Sequence, residues 1–184
     1  MGVRGVKWGM SRGEAIESFR GQAPVVGDML DSGAGHLECA SAPVGYFPAS
    51  ALLHFSNDGT LDSVRFLLDG PDNSELGAAR IARILYEIAG NLTVIYGPPN
   101  PLGNAPPPDD SAHLNAAVVE IEDYASKGGQ GHLRWLWQTQ ETNISLDYLA
   151  GVFEELGIIV FYEAAQKPNG IRFPGFSNTM LESL

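Results

Sequence analysis

Cysteine is nearly absent from this sequence, with Cys39 the single one among 184 residues. One cysteine excludes an intrachain disulfide and a zinc site built from several thiolates. Basic residues are also scarce, because 11 lysines and arginines stand against 22 acidic residues, giving a formal net charge of −11. Binding to a phosphate backbone needs lysine and arginine, so nucleic acid and anionic membrane are not expected partners.

Long apolar runs are missing as well. None approaches the roughly 20 residues that cross a bilayer, so no membrane insertion is predicted. The N-terminus shows no signal-peptide core, and Met1-Gly2 is not followed by the Ser or Thr at position 6 that myristoylation requires. The sequence as written predicts a cytoplasmic protein. A chain from which a signal peptide had been removed would look the same, so a periplasmic or extracellular location stays open.

What the chain does contain is typical of a globular protein with a real core, since 44% of its residues are hydrophobic and 18% are charged. The acidic excess favours a basic protein partner, because a negative surface attracts and accelerates its approach. Acidity that serves solubility alone is an equally good explanation.

Residues 1–70 are predicted to form a first helix–meander unit. Val3–Trp8 has the pattern of a short strand, and Ser11-Arg-Gly-Glu14 has the pattern of a capping box that opens a helix. Ser56-Asn-Asp-Gly-Thr60 predicts a hairpin turn, because Asn-Asp-Gly readily adopts positive φ.

Residues 71–167 are predicted to form a second helix–meander unit. Its helix begins near Ser74 and either breaks at Gly90-Asn91 or continues to Tyr96. A proline-rich loop and an extra helix occupy residues 100–131. The remaining predicted elements are the extra helix at 111–126, strands at 132–138, 142–148 and 158–164, and a tail at 168–184.

The predicted fold class is therefore α+β, an antiparallel sheet made of two helix–meander units with the helices packed on one side. One continuous domain is the alternative to two units.

Two segments carry a resemblance to a known family. Trp8-Gly-Met-Ser-Arg-Gly-Glu-Ala-Ile16, followed by Leu53-His-Phe-Ser-Asn-Asp-Gly-Thr-Leu61, resembles the small α+β modules of the outer-membrane assembly lipoproteins. A secreted β-lactamase inhibitor protein has a similar fold in tandem and binds its enzyme across a sheet surface. The resemblance implies this fold over residues 5–68. The chain departs from the family in lacking a lipobox cysteine, in its longer second helix and in the insertion at 100–131, so anchoring and partner do not transfer.

Catalytic and metal-binding patterns are weak. Gly9-Met-Ser11-Arg-Gly13 matches a nucleophile elbow, but such an elbow sits within a parallel sheet, and Ser11 is better explained as an N-cap. His36 and Glu38 match the start of a zinc deaminase motif whose Pro-Cys-x-x-Cys part is absent. No catalytic residue, metal or cofactor is predicted.

Candidate partner-binding residues are the acidic side chains of the first unit and several aromatic ones. Trp135 and Trp137 share one strand face, which either binds a partner or packs under the second helix; packing is the favoured alternative. The candidates are Asp58, Asp62, Asp69, Asp72, Glu75, Tyr46, Phe47, Trp135 and Trp137.

The function expected from these features is non-enzymatic protein binding. The leading hypothesis is an acidic inhibitor or immunity protein that blocks a basic toxin or enzyme. The second is an extracytoplasmic structural or assembly module, and the third is a small serine hydrolase that uses Ser11.

Overall fold

A computed structural model describes residues 5–21, 29–31, 35–68, 77–108, 111–126, 131–150 and 157–165 of the chain. The helices in these residues are α1 (Arg12–Gly21), α2 (Ala78–Tyr96) and α3 (Ser111–Ser126). The strands are β1 (Met29–Asp31), β2 (His36–Cys39), β3 (Ala49–Phe55), β4 (Leu61–Leu68), β5 (Gly131–Gln138), β6 (Thr142–Ala150) and β7 (Gly157–Ala164). None of the described helices is long and apolar enough to cross a membrane.

The described strands form one antiparallel sheet in the order β1-β2-β3-β4-β7-β6-β5. The predicted α+β class, with an antiparallel sheet and helices on one side, is confirmed. Strands from residues 1–70 and 71–167 meet where β4 pairs with β7, with Val64 opposite Tyr162. The Trp8 indole adds a second link, because its Nε1 donates to Thr142 Oγ1 at 2.8 Å.

The N-terminal helix begins as its sequence predicts. Glu14 Oε2 accepts hydrogen bonds from the Ser11 backbone N–H at 2.9 Å and from Ser11 Oγ at 2.7 Å. The strand predicted at Val3–Trp8 is wrong over its described part, since residues 5–8 form turns and irregular backbone. Just after this segment, Met10 O accepts a hydrogen bond from the Leu61 N–H at the start of β4.

The hairpin between β3 and β4 is also confirmed. Gly59 adopts a φ of 79°, and the Ser56 N–H donates to Thr60 O at 2.9 Å. A β-bulge follows, because Phe55 pairs with Leu61 while His54 pairs with Ser63. The extra residue is Asp62, whose side chain therefore reaches the same side of the sheet as His54.

Helix α2 continues through Gly90-Asn91 without a break and ends at Tyr96, where the following Gly97 has a φ of 85°. The proline-rich loop after it lies along the outer edge of β5. Asn104 Oδ1 accepts from the Arg134 N–H at 2.7 Å, and Asn104 Nδ2 donates to His132 O at 2.7 Å. The loop thus satisfies backbone groups that an edge strand would leave open to other chains.

The core lies between the helices and one face of the sheet. Tyr86 of α2 packs edge-on against Trp135 of β5, with ring centroids 5.9 Å apart. Phe19 of α1 stacks on Phe66 of β4 at 6.4 Å. We call the opposite face, which none of the described helices covers, the open face; Leu67 of β4 and Ile159 and Phe161 of β7 lie on it.

Gly103 is a point where the loop approaches β5 too closely for a side chain. A Cβ there would lie 2.5 Å from the Arg134 carbonyl oxygen. We expect Gly103→Ala to lower the free energy of unfolding by about 1–3 kcal/mol through overpacking. Gly90→Ala is the matched control, since its Cβ meets nothing within 4 Å and a helical Gly→Ala change stabilises by about 0.5–1 kcal/mol. Denaturant unfolding of both variants measures the opposite signs, and a Gly103→Ala variant that is as stable as the natural chain would contradict the close approach.

Candidate functional site

A cleft opens on the helical side of the molecule, between α2 and the turn that precedes β3. Its volume is about 360 Å³, within the range of small binding pockets. It is lined by Val44, Gly45, Phe47, Phe66, Glu87, Ile88, Asn91, Leu92, Val94, Ile95 and Tyr162.

The turn forms one wall of the cleft. Val44 and Phe47 exchange two backbone hydrogen bonds of 2.9 and 3.0 Å, and Gly45 between them adopts a φ of 60°. The Ala42 N–H ties the turn to the start of β3 by donating to Ala49 O at 2.6 Å. This closed turn directs Val44 and Phe47 to the cleft and leaves Tyr46 at its tip, 92% exposed.

The last turns of α2 form the other wall. Ile88 and Leu92 are buried on the core side of the helix. Val94 and Ile95 belong to the same helix end, yet they are 87% and 64% exposed. Single exposed aliphatic residues are ordinary, but apolar side chains gathered at the rim of an apolar cleft are typical of an interaction site.

The packed rings of Phe66 and Tyr162 form the floor of the cleft. Phe66 of β4 meets Tyr162 of β7 edge-on at 6.0 Å, and Tyr96 at the end of α2 meets Tyr162 at 6.4 Å. Burial raises the pKa of Tyr96 above its ordinary value. The floor therefore offers an apolar surface made of rings that contact one another.

The charge at the cleft has one sign. Glu87 is the only charged residue among the lining side chains that the structure describes, and Asn91 lies one helical turn further along α2. The site can therefore hold an apolar group and accept a hydrogen bond or a cation at its rim.

One of the predicted partner-binding residues, Phe47, lines this cleft, and a second, Tyr46, lies between the lining residues Gly45 and Phe47 in the turn. Asp58 is exposed but serves the hairpin, where its Oδ1 accepts from Ser56 and Thr60 and these bonds lower its pKa. Asp69, Asp72 and Glu75 lie outside the described residues.

Asp62 does not offer its charge to a partner. It is 3% exposed, and its Oδ1 lies 2.8 Å from His54 Nδ1. The bulge turns this side chain onto the open face beside His54, so a residue that sequence alone placed on an acidic docking face is paired within the protein.

Trp135 and Trp137 lie in the core, with 1% and 2% exposure. The Trp135 Nε1 donates to Pro106 O at 2.7 Å, which fixes the indole under the proline-rich loop. Both residues therefore pack in the core, and neither is available as a surface anchor.

Ser11 contacts a carboxylate in place of a catalytic histidine. The Ser11 hydroxyl donates a hydrogen bond to the Glu14 carboxylate. The Ser11 hydrogen bonds lower the pKa of Glu14, so this carboxylate is a weak base. Within the described ranges no group of three or more His, Cys, Asp or Glu residues is placed to hold a metal ion.

A buried polar cluster on the open face has no counterpart in the sequence predictions. Asp147 of β6 accepts from His132 Nε2 at 2.6 Å and from Arg134 Nε at 2.5 Å through Oδ1, and from Ser145 Oγ at 2.6 Å through Oδ2. The Ser145 proton is directed to the carboxylate rather than to a histidine, so this arrangement lacks the contact that activates a serine nucleophile. Its geometry is that of a satisfied buried carboxylate.

Comparisons with protein-family models, with curated proteins and with solved structures found no match to this chain.

Proposed function

We propose that this protein is a non-enzymatic binding module that captures a basic protein through the cleft between α2 and the turn at 44–47, acting as an acidic inhibitor or immunity protein. The observation that carries the proposal is the concentration of exposed apolar side chains around one apolar cleft. Tyr46, Val94 and Ile95 account for three of the five large hydrophobic residues that are exposed in the described part of the chain.

The cleft suits an anchor side chain from a partner. A volume of about 360 Å³ accommodates one or two large apolar side chains, and hot spots of protein interfaces are usually such buried anchors. The exposed Tyr46 ring can add a large rigid contact at the rim, since tyrosine is enriched in interfaces.

Charge supports a basic partner. The chain carries a net charge of −11, and Glu87 places one of these charges beside the apolar lining. Long-range attraction accelerates the encounter with a basic protein, and Glu87 can pair with a lysine or arginine that flanks the anchor.

The experiment compares three baits in an extract of the native source at about 50 mM salt, where attraction between surface charges is weakly screened. The baits are the natural protein, a cleft variant with Tyr46→Ala, Val94→Ser and Ile95→Ser, and a control variant with Leu102→Ser and Val119→Ser. The control removes two residues that are 83% and 64% exposed but do not line the cleft.

We expect the natural and control baits to retain the same basic protein and the cleft variant to lose it. With the purified pair, the cleft variant should weaken affinity by about 30-fold or more, the size of one hot spot. Glu87→Lys should slow association at low salt and have less effect at high salt. The proposal fails when no basic protein is retained, or when the cleft variant binds it as tightly as the control does.

A further inference from the structure

The open face of the sheet carries apolar residues on neighbouring strands. They are Leu52 in β3, Leu67 in β4, Leu136 in β5, Leu149 in β6, and Ile159 and Phe161 in β7, all intermediate in burial. Strands that face water on one side normally alternate apolar and polar residues, whereas strands covered on both sides are apolar on both faces. The two central strands, β4 and β7, follow the second pattern over part of their length. The centre of this face, where Leu67, Ile159 and Phe161 lie, therefore has the composition of a sheet that receives a second layer.

The charge of the open face differs from that of the whole chain. Among the described residues this face carries two arginines, Arg65 and Arg134, against four carboxylates, so its formal charge is −2 with histidines neutral. The carboxylates are Glu38, Asp62, Asp147 and Glu163. Arg65 lies over the Phe161 ring at 5.6 Å. A face with a formal charge of only −2 on a chain of net charge −11 does not single out a basic partner. It is suited to a partner whose own face carries little net charge and has an apolar centre.

We infer that the occupant of the open face is a second copy of this chain, packed sheet against sheet about a two-fold axis that runs along the strands between β4 and β7. Leu67 and Ile159 are register partners on either side of this axis, as are Arg65 and Phe161. A two-fold rotation therefore places Leu67 over Ile159 of the second copy and Arg65 over its Phe161. The same operation repeats both contacts, as an isologous interface requires.

The face is large enough for such a dimer. The six strands from β2 to β5 in the sheet order give the face a width of about 24–29 Å at about 4.8 Å per strand. Along the strands, the outward residues extend over about 20–27 Å. Each copy then covers roughly 500–780 Å², or about 1,000–1,560 Å² in total, which reaches the lower part of the range for specific interfaces. This predicts a reversible dimer of moderate affinity. The inference does not depend on the cleft or on its partner.

Sedimentation equilibrium on the full chain tests the inference, at about 10 µM to about 500 µM protein. We expect the weight-average mass to rise from near that of a monomer towards that of a dimer over this range. We expect about 500 mM salt to favour the dimer relative to about 50 mM salt, because salt screens the repulsion between two acidic copies. Binding of a basic protein at the cleft has the opposite salt dependence. The two proposals can therefore fail separately.

Two charge variants locate the interface. Leu67→Lys and Ile159→Glu should each weaken self-association by about 10-fold or more, since each places two charges against apolar residues across the axis. An equimolar mixture should recover dimer to within about threefold of the natural chain, because one Lys–Glu contact and one Leu–Ile contact then form. Recovery requires both variants to be folded, so it separates loss of the interface from loss of the fold.

Val119→Glu is the control, because Val119 lies on α3 and is 64% exposed. It should dimerise as the natural chain does, apart from the added negative charge. The inference is overturned by a natural chain that stays monomeric at both salt concentrations. Charge variants that associate as tightly as the control, or a mixture that does not recover, also overturn it.

Discussion

Replacing Asp147 with Ala is expected to lower the free energy of unfolding by about 3 kcal/mol. Removing one member of a buried ionic cluster leaves the others without a counter-charge, which costs about 3–5 kcal/mol when the site is fully enclosed. The lower end of this cost range applies because the Arg134 side chain is 27% exposed, so water can solvate part of its charge. Denaturant unfolding at neutral pH measures the change.

A graded series checks that the carboxylate is the cause. Ser145→Ala removes only the hydrogen bond to Oδ2 and is expected to cost about 1 kcal/mol. Asp147→Asn keeps the shape but loses the charge that His132 and Arg134 contact, so its cost should fall between the two. If Asp147→Ala costs no more than Ser145→Ala, the cluster contributes little to stability.

The pH dependence of this effect has a defined sign. Burial by itself raises the Asp147 pKa, but the His132 hydrogen bond, the Arg134 charge and the Ser145 hydrogen bond together hold it below its ordinary value. An unfolded aspartate titrates near pH ~3.9, so the stabilisation by ionised Asp147 is complete above that pH. It is lost as the pH falls through the lower pKa of the folded state. The stability difference between the natural chain and Asp147→Asn should therefore shrink in acid, whereas a constant difference would argue against a charge effect.

The sequence predicts the local elements of this fold because their causes are local. The capping box at Ser11 and Glu14 and the hairpin at 56–60 each depend on side chains within a few residues of one another. Helix α3 occupies the predicted range 111–126, where apolar residues recur at helical spacing.

The sequence does not predict features that depend on distant parts of the chain. The bulge that turns Asp62 towards His54 arises from the register of β3 on β4, and a shift of one residue reverses the face of a side chain. The proline-rich loop finds its partners on β5, about thirty residues further along, through Asn104. No periodicity in the loop signals that contact.

The Asp147 cluster could have been found from the sequence. The β5–β6 hairpin pairs Gln138 with Asn143, and counting outwards by two residues puts Leu136 opposite Ser145 and Arg134 opposite Asp147. An Arg–Asp pair across neighbouring strands is a recognised stabilising pair. The signal lies in the register of the two strands and not in any local sequence motif, because Arg134 and Asp147 are 13 residues apart in the chain.

The cleft was only half predictable. Tyr46 and Phe47 are aromatic residues in a proline-flanked turn, which marks them as accessible. Val94 and Ile95 carry no such mark, because a β-branched segment has the pattern of a strand as well as of a helix end. Only the continuation of α2 to Tyr96 places them at the rim.

The second large effect is expected in the core under the proline-rich loop. Trp135→Ala should lower the free energy of unfolding by about 3–5 kcal/mol, the usual cost of removing a large buried aromatic side chain. The indole is 1% exposed, meets Tyr86 edge-on at 5.9 Å, and donates to Pro106 O at 2.7 Å. Thermal and denaturant unfolding both report the loss.

Trp137 provides a matched comparison that separates the hydrogen bond from the packing. It is equally buried on the same strand face, but its Nε1 has no hydrogen-bond partner among the described residues. Trp135→Phe leaves Pro106 O without its donor, whereas Trp137→Phe removes a buried N–H that was already unpaired. We therefore expect Trp135→Phe to cost about 1–2 kcal/mol more than Trp137→Phe, although both lose a similar volume. Equal costs would mean that the bond to Pro106 contributes little to stability, and the loop would then be held by the Asn104 hydrogen bonds to β5.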